Sequence, residues 1–276
     1  MTTRSLVSRL GLYTAALLIS LPTAATAQEA TEAGATEALP AARTVIDRFL
    51  DVTNFTATAE KTKSTHVTGT ISIPLMGMEG IYDQYQAKPN RFLMEMELAG
   101  MGTQLQGFDG KVGWMVHPMM GAMIFDDIQL LQTANRAAYD SPAKPAKPYE
   151  SIETVGREKF EGKECYKLQL VLHPAEGMDA EKTKKMRTSF EYYEIESGLL
   201  IGTESTRDSP QGIMPITNIF SDYRMFGERK MAALNVQRQA GMEIELTVDS
   251  VEFDTVEDDK FALPKEVQAK VGDDQD

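Results

Sequence analysis

From about residue 65 onward, apolar side chains recur at every second position, and short turn-forming clusters break the runs. That period of two is the strongest constraint in the chain, because it belongs to strands with one buried face. "HVTGTISIP" sets Val67, Gly69, Ile71 and Ile73 on one side. "GIYDQYQAKPNRFLMEMEL" reads as two strands about a turn at Lys88-Pro89-Asn90. In its second strand Phe92, Met94, Met96 and Leu98 alternate with Leu93, Glu95 and Glu97. Further hairpins are predicted about Asp109-Gly110, Glu161-Gly162, Glu196-Ser197-Gly198 and Gly227-Glu228. "MEIELTVDSVEFD" closes the series.

Two stretches change period. "ARTVIDRFLDVTNF" follows Pro40 and brings Val45, Ile46, Phe49 and Leu50 to one side of a helix. "DDIQLLQTANRAAY" does the same with Ile128, Leu131 and Ala134-Asn135, behind an acidic first turn. Between the halves, "DSPAKPAKP" at 140–148 is a proline-rich connector, and "DAEKTKKMR" is a polar excursion. The expectation is an α+β fold with about ten or eleven strands and two or three helices. A hairpin-linked sheet with one apolar face is antiparallel and covered on one side only. With so few helices to cover it, curling around them is the economical arrangement.

Residues 1–27 read as a cleavable secretory leader: Arg4 and Arg9, then "LGLYTAALLISL", then the small-residue site Ala25-Thr26-Ala27. Cleavage is expected before Gln28, with no cysteine there for an acyl anchor. A flexible spacer over 28–40, one domain over 41–267 and an acidic tail over 268–276 complete the expected organisation. The formal charge is −13, and loss of Arg4 and Arg9 takes it to −15. Such a charge disfavours nucleic acid and anionic membrane surfaces, and no second long apolar run suggests stable membrane insertion. Cys165 is the only cysteine, so no intramolecular disulfide forms, and its strand-like context suits a buried, inert thiol.

Catalytic patterns are missing. The sequence has no Gly-x-Ser-x-Gly, no His-Glu-x-x-His, no phosphate-binding glycine loop and no Cys-x-x-Cys. The three histidines are scattered, and His117 and His173 each precede a proline. No catalytic residue, cofactor or resident metal is therefore expected. The 16 methionines leave a choice open. "WMVHPMMGAMIFDD" gathers His117, Met119, Met120 and Met123, the donor types that select soft Cu(I). Yet Met94 and Met96 share a face with Phe92 and Leu98, which points to packing or cavity lining by adaptable thioethers. On that reading, residues 114–127 run from a strand through a Met-rich loop at a cavity rim into the second helix.

The order of segments has a familiar look. "VIDRFL", "AKPNRFLMEME", "GFDGKVGWMV", "VGREKFEGKECYKLQL", "YYEIESGLLIGTES" and "SDYRMFGERKMAALNVQRQAGMEIELTVDSVEFDTVEDDKFALP" together resemble the LolA-like superfamily of periplasmic lipoprotein-sorting proteins, over roughly 43 to 265. The resemblance implies a strongly curved, unclosed antiparallel β-barrel, with helices forming a lid over an apolar concavity. It further implies a periplasmic carrier for acyl chains of lipid or lipoprotein, with an inner- or outer-membrane partner. The lining would then comprise Phe92, Met94, Met96, Leu98, Trp114, Met119, Met120, Met123, Tyr166, Leu168 and Leu170. An envelope small-ligand sensor or scaffold of the same fold is the alternative, and a soft-metal binder comes behind it.

Overall fold

A computed structural model describes residues 38–139, 148–207 and 212–273. The leader, most of the spacer and nearly all of the proline-rich connector lie outside the described residues. The alternating stretches form thirteen strands of one antiparallel sheet. They are β1 (Ser64–Ile73), β2 (Met78–Ala87), β3 (Arg91–Leu98), β4 (Gly102–Phe108), β5 (Gly113–His117), β6 (Gly121–Phe125), β7 (Tyr149–Phe160), β8 (Lys163–Leu172), β9 (Thr188–Glu194), β10 (Leu200–Arg207), β11 (Met214–Phe226), β12 (Arg229–Gln239) and β13 (Met242–Phe253). Their order is β6-β5-β4-β3-β2-β1-β13-β12-β11-β10-β9-β8-β7, so β6 and β7 are unpaired edges of a strongly curved sheet that does not close. Five α-helices accompany it among the described residues: α1 (Ala42–Val52), α2 (Phe55–Lys61), α3 (Asp127–Ala137), α4 (Ala180–Arg187) and α5 (Lys265–Asp273).

Strands and helices both exceed the expected numbers, for local reasons. The Met-rich segment is no open loop: Pro118–Met120 is a three-residue turn closed by Gly121 at φ 75°, and β6 returns in register, with Met115 opposite Met123. The polar excursion folds as α4 because the Asp179 side chain accepts the Lys182 N–H at 3.1 Å, while Lys184, Lys185 and Arg187 favour its C-terminal end. At the C-terminus, α5 runs through Asp273, into the stretch expected to be tail, and buries Val267 completely.

Register assigns the faces. On the concave side, Val67, Ile71, Tyr82, Phe92, Met94, Leu98 and Phe108 form one core with Ala137 of α3. Leu168, Leu170 and Tyr193 form a second beneath Ala42, Val45, Ile46 and Leu50 of α1. Helix α1 is held there by Arg48, whose guanidinium donates to the carbonyls of Ile195 at 2.6 Å and Glu196 at 2.7 Å. Bending is eased at Gly69, beside a register shift between β1 and β13; a Cβ there would stand 2.6 Å from the Tyr82 ring. The outer face carries two smaller clusters. Phe160, Cys165, Tyr192 and Ile201 form one, and Leu93, Trp114, Phe261 and Val267 the other, capped by α5. No helix among the described residues is long and apolar enough to cross a membrane.

Candidate functional site

Helix α3 follows edge strand β6 and precedes edge strand β7 in the chain, and it lies within the concavity. Its sequence has two stripes at helical spacing. Leu130, Ala134 and Ala137 pack on the sheet core. Gln129, Gln132, Thr133 and Arg136 face a cavity of about 760 Å³ on the other side. The far wall belongs to the last strands: Ser189 on β9, Ser205 and Arg207 on β10, Asn218 on β11 and Gln237 on β12. An apolar wall comes from Met115, Met120, Met123 and Phe125 of the β5–β6 hairpin, with Leu172 and Met186 beyond. A smaller cavity of about 280 Å³ lies between α1 and α3, bounded by Ile46, Phe49, Arg136, Leu170, Glu191 and Tyr193.

Several side-chain hydrogen bonds fasten the helix, among them Gln86 Nε2 donating to the Arg136 carbonyl at 3.0 Å and Asn135 Nδ2 donating to the Tyr149 hydroxyl at 3.2 Å. Midway, the Gln132 side-chain amide donates to the carbonyls of Met186 at 2.8 Å and Thr206 at 3.0 Å, spanning from α3 to α4 and β10. Just past its end, the Tyr139 hydroxyl lies 2.6 Å from Thr65 Oγ1 and 2.9 Å from Thr62 Oγ1.

Titratable groups on the concave side are few. Arg136 is exposed and borders both cavities. Desolvation holds it below the usual arginine range, and the Arg207 charge adds to that. Arg207 is lowered by desolvation alone. Glu191 is raised above the ordinary carboxyl range by burial, partly offset by the Tyr193 hydroxyl, which donates to it at 2.6 Å. Arg187 also lines the large cavity but is committed elsewhere: it donates to Glu150 at 3.2 Å and to the carbonyls of Leu172 and Ala180.

The residues proposed from sequence scatter across this arrangement. Met120 and Met123 line the large cavity, and Leu170 the small one. Phe92, Met94 and Leu98 face inward but are sealed in the core, with Met96 packed against them. Leu168 is wholly buried under α1, and Tyr166 lies at that cluster's margin. Met119 is 77% exposed at the turn tip and takes no part in the lining. Trp114 requires a correction: it faces outward, away from both cavities. It pairs with Gly107, whose missing side chain leaves room for the indole, and α5 covers the ring. A Cβ on Gly107 would stand 2.4 Å from the indole.

Among the described residues no three His, Cys, Asp or Glu side chains converge as metal ligands. His117 Nδ1 already accepts the Met119 N–H at 3.2 Å. Cys165 is buried in the outer cluster, and desolvation raises its thiol. Sequence reasoning missed Gln132, Arg136, Arg207 and Met186. The only available signal was the polar stripe of α3, which looks the same whether it meets water or a cavity.

No model of a protein family matches this sequence, and no curated protein does. Solved structures do match in shape. A LolA superfamily protein from Nitrosomonas europaea aligns with TM-score 0.54 at 13% identity, covering 82% of this chain and 99% of that one. A DUF1329 family protein from Desulfovibrio piger aligns with TM-score 0.52 at 11% identity, covering 80% and 97%. These likenesses span both halves of the curved sheet, and the chain has a LolA-like fold.

Proposed function

We propose that this chain is a periplasmic, non-enzymatic carrier that holds an acyl chain of a lipid or lipoprotein and passes it to a membrane partner. The supporting observation is the cavity of about 760 Å³ beneath a helix fastened at its middle by a single glutamine. That volume falls within the roughly 300–1,000 Å³ of typical small-ligand pockets. Met115, Met120, Met123, Phe125 and Met186 would contact the chain, and thioethers adapt to chains of varied shape. Each buried CH₂ contributes about 0.8 kcal/mol, so a long chain outweighs the cost of ordering it. Movement of α3 would then govern entry and release.

Met120 both lines the cavity and is 63% exposed, which suits a mouth. The antiparallel order puts the turn after β1, with exposed Leu75 and Met76, at the same end. These apolar tips would face the donor or acceptor. Native mass spectrometry of protein purified from its own envelope, with titration of a fluorescent fatty acid, tests the reading. A lipid-sized mass adduct displaced by the probe is expected. Protein that carries no lipid and leaves the probe free in solution overturns it.

A further inference from the structure

The geometry points to an anionic ligand: the large cavity grips the carboxylate or phosphate head of an acyl chain between Arg136 and Arg207, with the tail against the methionine wall. The inference rests on the acyl-carrier reading above and names the class of lipid that the site selects.

Charge distribution is the first ground. The chain has 41 acidic and 28 basic residues, yet among the described residues the cavity lining holds Arg136, Arg187, Arg207 and Lys270 and no Asp or Glu. A cleft of one sign in a protein of the other concentrates ligands of opposite charge. The second ground is pairing. Ten arginines lie among the described residues. The side chains of Arg43, Arg48, Arg91, Arg157, Arg187, Arg224, Arg229 and Arg238 each meet a carboxylate, carbonyl or hydroxyl oxygen. Arg136 and Arg207 are the exceptions. Among the described residues, the one neighbour that offers Arg136 any charge stabilisation is the Phe92 ring, at 5.7 Å. Guanidinium stays protonated in proteins, so both charges persist although desolvation and mutual repulsion oppose them. Glu191, in the smaller cavity beyond Arg136, forms no ion pair with it.

A hydrocarbon ligand would leave these two charges covered and uncompensated, which is strongly unfavourable. An anionic head satisfies both, since the guanidinium fork matches carboxylate and phosphate oxygens. Gln106, Ser189, Ser205, Asn218 and Gln237 supply neutral donors around the same space. Polar and apolar walls thus face each other in one cavity, as an amphiphile requires.

The test compares dodecanoate, dodecyl phosphate and dodecanol, three heads on one chain, with inorganic phosphate as the headgroup alone. Each is titrated into the wild-type chain and into Arg136→Gln, Arg207→Gln and the double variant. In the wild type, at least one of the charged amphiphiles is expected to bind about tenfold or more tightly than the alcohol. The double variant should erase that preference while keeping its affinity for dodecanol. Its Tm should match or exceed that of the wild type, since uncompensated charge has been removed. Equal binding of acids and alcohol by the wild type, or a preference that survives in the double variant, overturns the inference and leaves the acyl-carrier reading standing. Arginine-dependent binding of phosphate with no binding of any dodecyl compound overturns the acyl-carrier reading and with it the amphiphile, leaving only an anion site at the two arginines. If none of the four binds, both fall.

Discussion

Replacing Gln132 by Ala should loosen α3 without loosening the sheet. The side-chain amide makes two hydrogen bonds, at 2.8 and 3.0 Å, to the carbonyls of Met186 and Thr206. A hydrogen bond of this kind contributes about 0.5–1.5 kcal/mol net. The freed carbonyls border the cavity, where water can solvate them, so the lower half of that range applies to each. Two bonds then give roughly 1–2 kcal/mol, or about a 5- to 30-fold rise in the population with α3 detached. The main core beneath the helix does not involve Gln132. Amide hydrogen exchange reads both regions at once. Amides of α3 from Leu130 to Arg136 should lose protection by about that factor, while those of β11 and β12 keep theirs. Gln132→Met, which keeps length but not the donor, should behave as Ala does. Unchanged protection in α3 would show that the glutamine is no fastener. An equal loss in α3 and in the sheet would show that it supports the whole fold.

Two further outcomes are expected. Gly107→Ala should destabilise the chain by about 1–3 kcal/mol in denaturant melts, because the new methyl meets the Trp114 ring; a neutral result would show that the indole is not seated on that glycine. Stability near neutral pH should carry a penalty from Glu191. Its folded pKa lies above the ordinary 4.5, so the folded state retains a proton that the unfolded chain releases; stability falls as pH rises from about that value through the folded pKa, then levels. Glu191→Gln should flatten this fall in urea melts across pH 4 to 7, and an identical slope in both proteins would refute the assignment.

Most of the sheet was legible because its cause is local. A hairpin needs alternation and a turn, and "AKPNRF" and "GFDGKVGW" supply both within a few residues; Ala87 and Arg91 end and begin strands as that reading requires. Strand β6 was missed because Met119, Met120 and Gly121 look like an extended loop, and the alternation after them lasts only five residues. The α4 reading failed differently. Its polar composition contains no apolar stripe, so the capping Asp179 and the basic last turn were the only evidence for a helix.

The site was far less legible, and Trp114 and Arg136 show why. Alternation states which residues share a face of one strand, but not what covers that face. Leu93 and Trp114 are as apolar as Phe92 and Met94, because α5 buries the outer face of the first strands just as α3 buries the inner one. Arg136 presents the converse ambiguity. On a helix, the stripe Gln129, Gln132, Arg136 is what an ordinary solvated surface looks like, and its partners across the cavity, Arg207, Asn218 and Gln237, are equally ordinary on their strands. Curvature turns that surface inward. Once the sheet wraps α3, side chains chosen to be soluble become the lining of a cavity, and two unremarkable arginines come to face the same space. Function in such a fold is set by the polar face of its helix as much as by the apolar face of its sheet.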